Sequence, residues 1–243
     1  MAGFFKRILE ASRPRKFCSV IVAAAGSSAR MGGEDKLLKE IHGIPVLART
    51  LRTLEDSTRV DEIIVAVRQD SLVTIADLCK RYVLTKRVKL VTGGATRAES
   101  VLRATMEVDA RAELIAVQDG ARPFASIELI DRVIEAAQKF DAAAPALPVK
   151  DTIKVAEGSI VRQTPDRKTL FAVQTPQVFN ADILKAALQS AVNDGVEVTD
   201  DCAAVERLGK QIYLTEGAEE NIKITTPFDF VVADAIISGG LAI

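Results

Sequence analysis

Arg30 and Lys36 close the run IVAAAGSSARMGGEDK (residues 21–36), in which an apolar stretch gives way to Ala24, Ala25, Gly26, Ser27 and Ser28 before the two cations arrive. Small side chains let backbone N–H groups approach a ligand, and fixed positive charge suits phosphate oxygens. The run is not a P-loop, because Lys36 is followed by Leu37 and GxxxxGK[ST] is missing, and it carries no GxGxxG. Two further segments have the same character: GGATRAES, with Gly93, Gly94, Arg97 and Ser100, and DGARP, with Asp119, Gly120 and Arg122. Lysine plus arginine (32) nearly balances aspartate plus glutamate (33), so no global field recruits nucleic acid or an anionic membrane, and anion handling must be local.

The elements that position these loops follow from periodicity. Apolar runs of strand length alternate with segments of helical period: SVIVAAA then PVLARTLRTLED, DEIIVAV then SLVTIADLCKRY, VKLVTG then TRAESVLRATMEV, ELIAVQD then SIELIDRVIEAAQKF, with AAAPALPV following. Strands apolar on both faces predict an α/β fold: a Rossmann-like, doubly wound, mostly parallel sheet covered by helices on each side. In such sheets ligands bind beyond the carboxyl ends of the strands, where Gly26–Lys36, Gly93–Ser100 and Asp119–Pro123 lie. Pro45 suits the first turn of a helix, and Ser126 is a helix N-cap with Glu128 in the first turn.

The alternation fails at 149–170, where DTIKV and SIVRQT flank EGS and predict a protruding β-hairpin arm. A two-stranded hairpin is barely stable alone, so the arm leans on something, with a second copy of the chain a reasonable candidate. Beyond it come helices near 180–193 and 200–208, a strand at QIYLTEG, and a strand then a helix in NIKITTPFDFVVADAIIS. The first 16 residues read as a short extension, too interrupted for a signal peptide or membrane span. Cys18, Cys79 and Cys202 are odd in number and widely spaced, against a disulfide framework or zinc site and in keeping with a reducing cytoplasm. His42, the sole histidine, rules out a histidine-rich metal centre and reads as a turn residue.

AAAGSSARMGG followed by DKLL resembles the AAGxGxRMG…K signature of sugar-phosphate nucleotidyltransferases. GGATRAES and QDGARPF resemble the GGxxRxxS and HDAARP segments of the cytidylyltransferases that act on 2-C-methyl-D-erythritol 4-phosphate. DTIK, TPDR, QTPQVF, TDDCAAVE and NIKIT match later blocks of that family in order, so the resemblance spans residues 18 to about 235. It implies a single nucleotidyltransferase domain over 17–243 that makes CDP-methylerythritol and pyrophosphate from CTP, in the non-mevalonate route to isoprenoid precursors. An ionised substrate phosphate attacks the α-phosphorus, so a general base is dispensable, and fixed cations with Mg²⁺ held mainly by the CTP phosphates carry the catalysis.

By the same resemblance Arg30 and Lys36 stabilise the transition state, while Arg167 and Lys223 position the substrate phosphate. The nucleotide is held by Ala24, Ala25, Gly26, Ser27, Ser28, Gly93, Gly94 and Ser100. Asp119, Gly120, Arg122, Thr152, Thr175 and Thr199 line the polyol phosphate site, with Thr152 and Arg167 reaching a partner's site through a homodimer built by the arm. From the residues alone, Arg97 caps or braces its loop, Arg122 braces Asp119 or grips a phosphate, and Ser100 is a solvent-facing helix serine. Departures from the family pattern are Gln118 for His, Gly120 for Ala, Ala95 for Asp, and Asp35 for the Pro before Lys36, where an acid offsets the lysine's charge if the side chains meet. Two rival readings are a ribitol 5-phosphate cytidylyltransferase and a nucleotide-binding module without catalysis; the second fits poorly with four cations aimed at reacting phosphates.

Overall fold

A computed structural model describes residues 15–26, 35–83 and 85–240. The chain runs through β1 (Cys18–Ala24), a ribbon of β2 (Glu40–Ile41) and β3 (Ile44–Pro45), α1 (Val46–Asp56), β4 (Glu62–Val67), α2 (Leu72–Tyr82) and β5 (Arg87–Thr92). It continues with α3 (Arg97–Thr105), β6 (Leu114–Asp119), α4 (Ile127–Phe140), β7 (Ala142–Pro148) and the hairpin β8 (Val155–Glu157) and β9 (Ile160–Gln163). Last come β10 (Phe171–Val173), β11 (Gln177–Asn180), α5 (Ala181–Asn193), α6 (Asp201–Arg207), β12 (Tyr213–Glu216) and α7 (Pro227–Ser238).

β5, β4, β1 and β6 lie side by side in that order, all parallel. Beyond β6, the segment β10–β11 runs antiparallel to β7, which pairs on its other side with β12 in parallel. The expected mostly parallel sheet is therefore found, with one antiparallel segment. Period-2 alternation splits its side chains between two cores. Val20, Val22, Ile63 and Val65 pack with α1, α2 and α4 on one face, while Ile21, Ile64, Ile115 and Val117 pack with α3, α5 and α6 on the other. Both faces are dry, which is why the strands read as unbroken apolar runs. Each fully buried Ile or Leu here contributes roughly 1.5–3 kcal/mol, so Ile64→Ala, at 0% exposure, would cost about 2–5 kcal/mol.

Helix starts are fixed locally. Ser126 accepts a hydrogen bond from the Leu129 N–H as the expected N-cap, and Thr96 does the same for Glu99. Pro45 sits one position earlier than expected, as the N-cap of α1. The hairpin forms in the expected stretch, with Gly158 at φ 56 in its turn, but its first strand is Val155–Glu157 rather than DTIKV at 151–155. One expectation fails: NIKIT forms no strand. Its Asn221 side chain turns inward to the Thr175 carbonyl and its Ile224 N–H donates to the Ala121 carbonyl at 2.8 Å, so this backbone is tied to loops rather than to a ladder. Residues 1–14 lie outside the described residues. No described helix is long and apolar enough to cross a membrane.

Candidate active site

After β1 the chain winds through β4 and β5 on one side, then returns to β6 on the other, so the strand order reverses between β1 and β6. Ala23 lies opposite Asp119 and Ala24 opposite Val67, which brings the carboxyl ends of three strands to one edge. A cavity of about 470 Å³ opens there. Ala24, Ala25, Gly26, Lys36, Gly94, Ser100, Asp119 and Lys223 all line it, as do Arg97 and Thr225. Ser27, Ser28 and Arg30 lie outside the described residues.

Lys36 opens a turn anchored by its neighbours. The Asp35 carbonyl accepts from the Leu38 and Lys39 N–H groups, the Asp35 carboxylate accepts from the Leu37 N–H at 3.1 Å, and Leu37 is buried. That carboxylate also accepts from Arg68 at 2.9 Å. Asp35 is thus engaged by Arg68 and the turn's own backbone, a role that its place beside Lys36 did not suggest.

Gly93 has no room for a side chain: a Cβ there would stand 2.6 Å from Ala25 Cβ and 2.8 Å from Ser100 Oγ. The bare backbone of Gly93 therefore packs directly on the Ala25 methyl group at the end of β4, whose Val67 carbonyl accepts from the Gly93 N–H. The buried Ser100 hydroxyl accepts from the Gly94 N–H at 3.0 Å and donates to the Thr96 carbonyl at 2.8 Å. It is no solvent-facing serine; it fixes the loop that walls the cavity.

Asp119 gathers three cations. Arg97 and Lys223 each reach its carboxylate at 2.9 Å and Arg122 at 3.3 Å, while its N–H donates to Thr175 Oγ1. Burial opposes ionisation of Asp119, but Arg97, Lys223 and Arg122 prevail and hold the carboxyl well below the usual carboxylate range. Arg97 also donates to Asp201 at 2.7 Å. Asp201 is placed by Gln177 of β11, whose side-chain carbonyl accepts from the Asp201 and Cys202 N–H groups at the start of α6. Burial pushes Asp201 upward, with Arg97 pulling against it. Burial likewise works against the charge of Arg97, yet the two carboxylates raise its pKa above the usual arginine value.

The remaining expected residues are spread. Gly120 faces the interior, where a Cβ would meet Leu47 Cδ1 at 3.1 Å. Arg122 is buried behind Asp119 and donates to the Asn221 carbonyl at 2.7 Å. Thr199 is exposed ahead of α6, and Thr152 and Arg167 are exposed on the arm, where Arg167 donates to the Lys150 carbonyl. None of these three lines the cavity. Sequence reasoning missed Asp201, Asn221, Gln174 and Arg68. Asn221 Nδ2 donates to the Thr175 carbonyl and to Gln174 Oε1, and Gln174 Nε2 donates to the Ala218 carbonyl, tying down the segment that carries Lys223. Such pairings between distant residues leave no signal in spacing. His42 sits at φ 49 and pairs with Asp234.

Small-residue loops and lysines at the switch point of a parallel sheet define an α/β protein built to hold a phosphorylated ligand. A family model for 2-C-methyl-D-erythritol 4-phosphate cytidylyltransferase matches residues 18–239, and the chain belongs to that family of nucleotidyltransferases. The 2-C-methyl-D-erythritol 4-phosphate cytidylyltransferase of Bacillus velezensis is 42% identical over 220 residues, covering 90% of this chain and 94% of that one. A crystal structure of 4-diphosphocytidyl-2C-methyl-D-erythritol synthase from Anaerococcus prevotii matches with a TM-score of 0.82 at 33% identity, covering 92% of this chain and 96% of that one. That of the Thermus thermophilus 2-C-methyl-D-erythritol 4-phosphate cytidylyltransferase matches at 0.75 and 34%, covering 91% and 99%.

Proposed function

We propose that this chain transfers the cytidylyl group of CTP to 2-C-methyl-D-erythritol 4-phosphate, giving CDP-methylerythritol and pyrophosphate for isoprenoid precursor synthesis. The observation that carries the reading is the joint presence of Lys36, Lys223 and the Arg97–Asp119 pair around one cavity floored by the small residues after β1. The polyol phosphate is ionised near neutrality, so its oxygen attacks the α-phosphorus without a base. The bond from that phosphorus to the β-phosphate oxygen breaks, and pyrophosphate leaves. Lys36, with Arg30, offsets the charge on the triphosphate, and Lys223, oriented by Asp119, receives the attacking phosphate. Because Lys223 is already held by Asp119, it needs little reorganisation before the reaction.

Asp119 meets the polyol, Gly120 and Arg122 shape the site from behind, and Thr175 holds the Asp119 backbone. Carried by the CTP phosphates, Mg²⁺ would supply charge neutralisation at their oxygens. The residues present fit an ion carried by the nucleotide, since Asp119 is already engaged by three cations.

Residues 17–243 act as one catalytic domain whose arm docks on a second copy, delivering Thr152 and Arg167 to the partner's cavity. Ile160 is 63% and Val161 54% exposed, apolar side chains on the two sides of the arm that stay wet in a lone chain. The cytoplasm is the compartment that suits three free, buried cysteines.

Pyrophosphate release from CTP, Mg²⁺ and methylerythritol phosphate tests the reading, with ribitol 5-phosphate run in parallel. Turnover is expected with the first polyol and a drop of roughly 100- to 1000-fold in Lys36→Ala. Preference for ribitol 5-phosphate would overturn the substrate, and an unchanged Lys36→Ala would overturn the role of that lysine.

A further inference from the structure

Arg68 is the first residue past β4, and its guanidinium hydrogen bonds to the described residues serve the cavity edge or its own orientation. On the near side, Nε donates to Asp70 Oδ1 at 3.1 Å and Nη2 to Ser71 Oγ at 2.8 Å, both on the turn that leads into α2. Ser71 Oγ in turn donates to Asp70, closing a small ring that aims the fork. On the far side, Nη1 donates to the Gly26 carbonyl at 3.0 Å and Nη2 to Asp35 Oδ2 at 2.9 Å. Asp35 passes the constraint on, because its other oxygen accepts from the Leu37 N–H. Lys36 lies between those two residues.

We propose that Arg68 is a positioning residue for nucleotidyl transfer: through Asp35 it fixes the turn that presents Lys36 to the triphosphate. The inference rests on the role given above to Lys36. A planar fork with several donors suits this task, because it can hold Asp35 and the Gly26 carbonyl at once, whereas a lysine ammonium is a point charge on a flexible stem. Asp35 stands where the resembling family commonly has proline, so a carboxylate–guanidinium bridge here does what a rigid backbone does there.

The test is a cycle of Arg68→Ala and Lys36→Ala, singly and together, read by single-turnover rates with enzyme in excess so that slow variants stay measurable. A misplacement of about 1 Å costs up to 100-fold. Arg68→Ala is expected to slow the chemical step 10- to 100-fold in the native background and less than 3-fold when Lys36 is already gone, with Arg68→Lys recovering only part of the loss. An equal fractional loss in both backgrounds would mark Arg68 as a general structural residue and overturn the proposal, as would no loss in the native background. Native speed in Lys36→Ala alone would remove the role of Lys36 first, and this inference with it.

Discussion

Asp119→Asn is the substitution that most directly probes how the cavity is held together. The carboxylate is 7% exposed and neutralises parts of Arg97, Arg122 and Lys223. Removing one partner of a buried ion pair typically costs about 3–5 kcal/mol, because the charge left behind is uncompensated. Here the orphaning is partial. Arg97 keeps Asp201, Arg122 keeps the Asn221 carbonyl, and Lys223 is 40% exposed and can turn to water. The lower end, about 3 kcal/mol, is therefore expected. For a chain of 243 residues that is a fall in Tm of roughly 6–12 °C, read by circular dichroism at pH 7. The folded pKa of Asp119 is depressed, so its contribution is full above its unfolded value of about 3.9 and fades as pH falls through the folded value. The gap between native chain and variant should then be constant from pH 7 to 5 and narrow below about pH 4. A variant that melts within 2 °C of the native chain at pH 7 would show that the three contacts do not stabilise the fold.

Gly93→Ala should destabilise by roughly 1–3 kcal/mol and weaken CTP binding in calorimetry, since the new methyl group collides with Ala25 and Ser100; Gly26→Ala, with nothing within 4 Å, should change stability by less than about 0.5 kcal/mol. The rate of transfer should fall below about pH 6, where the substrate phosphate dianion takes up a proton, and the midpoint should be the same in His42→Gln; a shifted midpoint would give that histidine a part in the chemistry. Val161→Asp on the exposed arm should turn the proposed dimer into a monomer in sedimentation velocity and depress turnover, whereas a fully active monomer would separate the arm from catalysis.

Much of the sheet was legible because buried parallel strands need apolar residues on both faces, and SVIVAA, EIIVAV and LIAVQD have them. Their carboxyl ends then pointed to the three loops that meet at the cavity. The order of strands was not legible, since periodicity says nothing about neighbours. The ion cluster was hidden for a related reason: Arg97 and Asp201 are 104 residues apart, and a buried charge is spelled with the same letter as a solvated one. NIKIT misled because alternating apolar residues also suit an extended segment pinned by side-chain amides and loop carbonyls, as Asn221 and Ile224 are. Asp35 was weighed only against its sequence neighbour Lys36, whereas its carboxylate belongs to Arg68, 33 positions on.

The bare α-carbon at Gly93 sets a limit on redesign. With Gly93 resting directly on the Ala25 and Ser100 side chains, this seam has no slack, and mutation at Gly93 can only add material to it. Variants selected for a bulkier heterocycle would have to recruit space from other quarters, so changes that enlarge the repertoire of bases should map away from this seam.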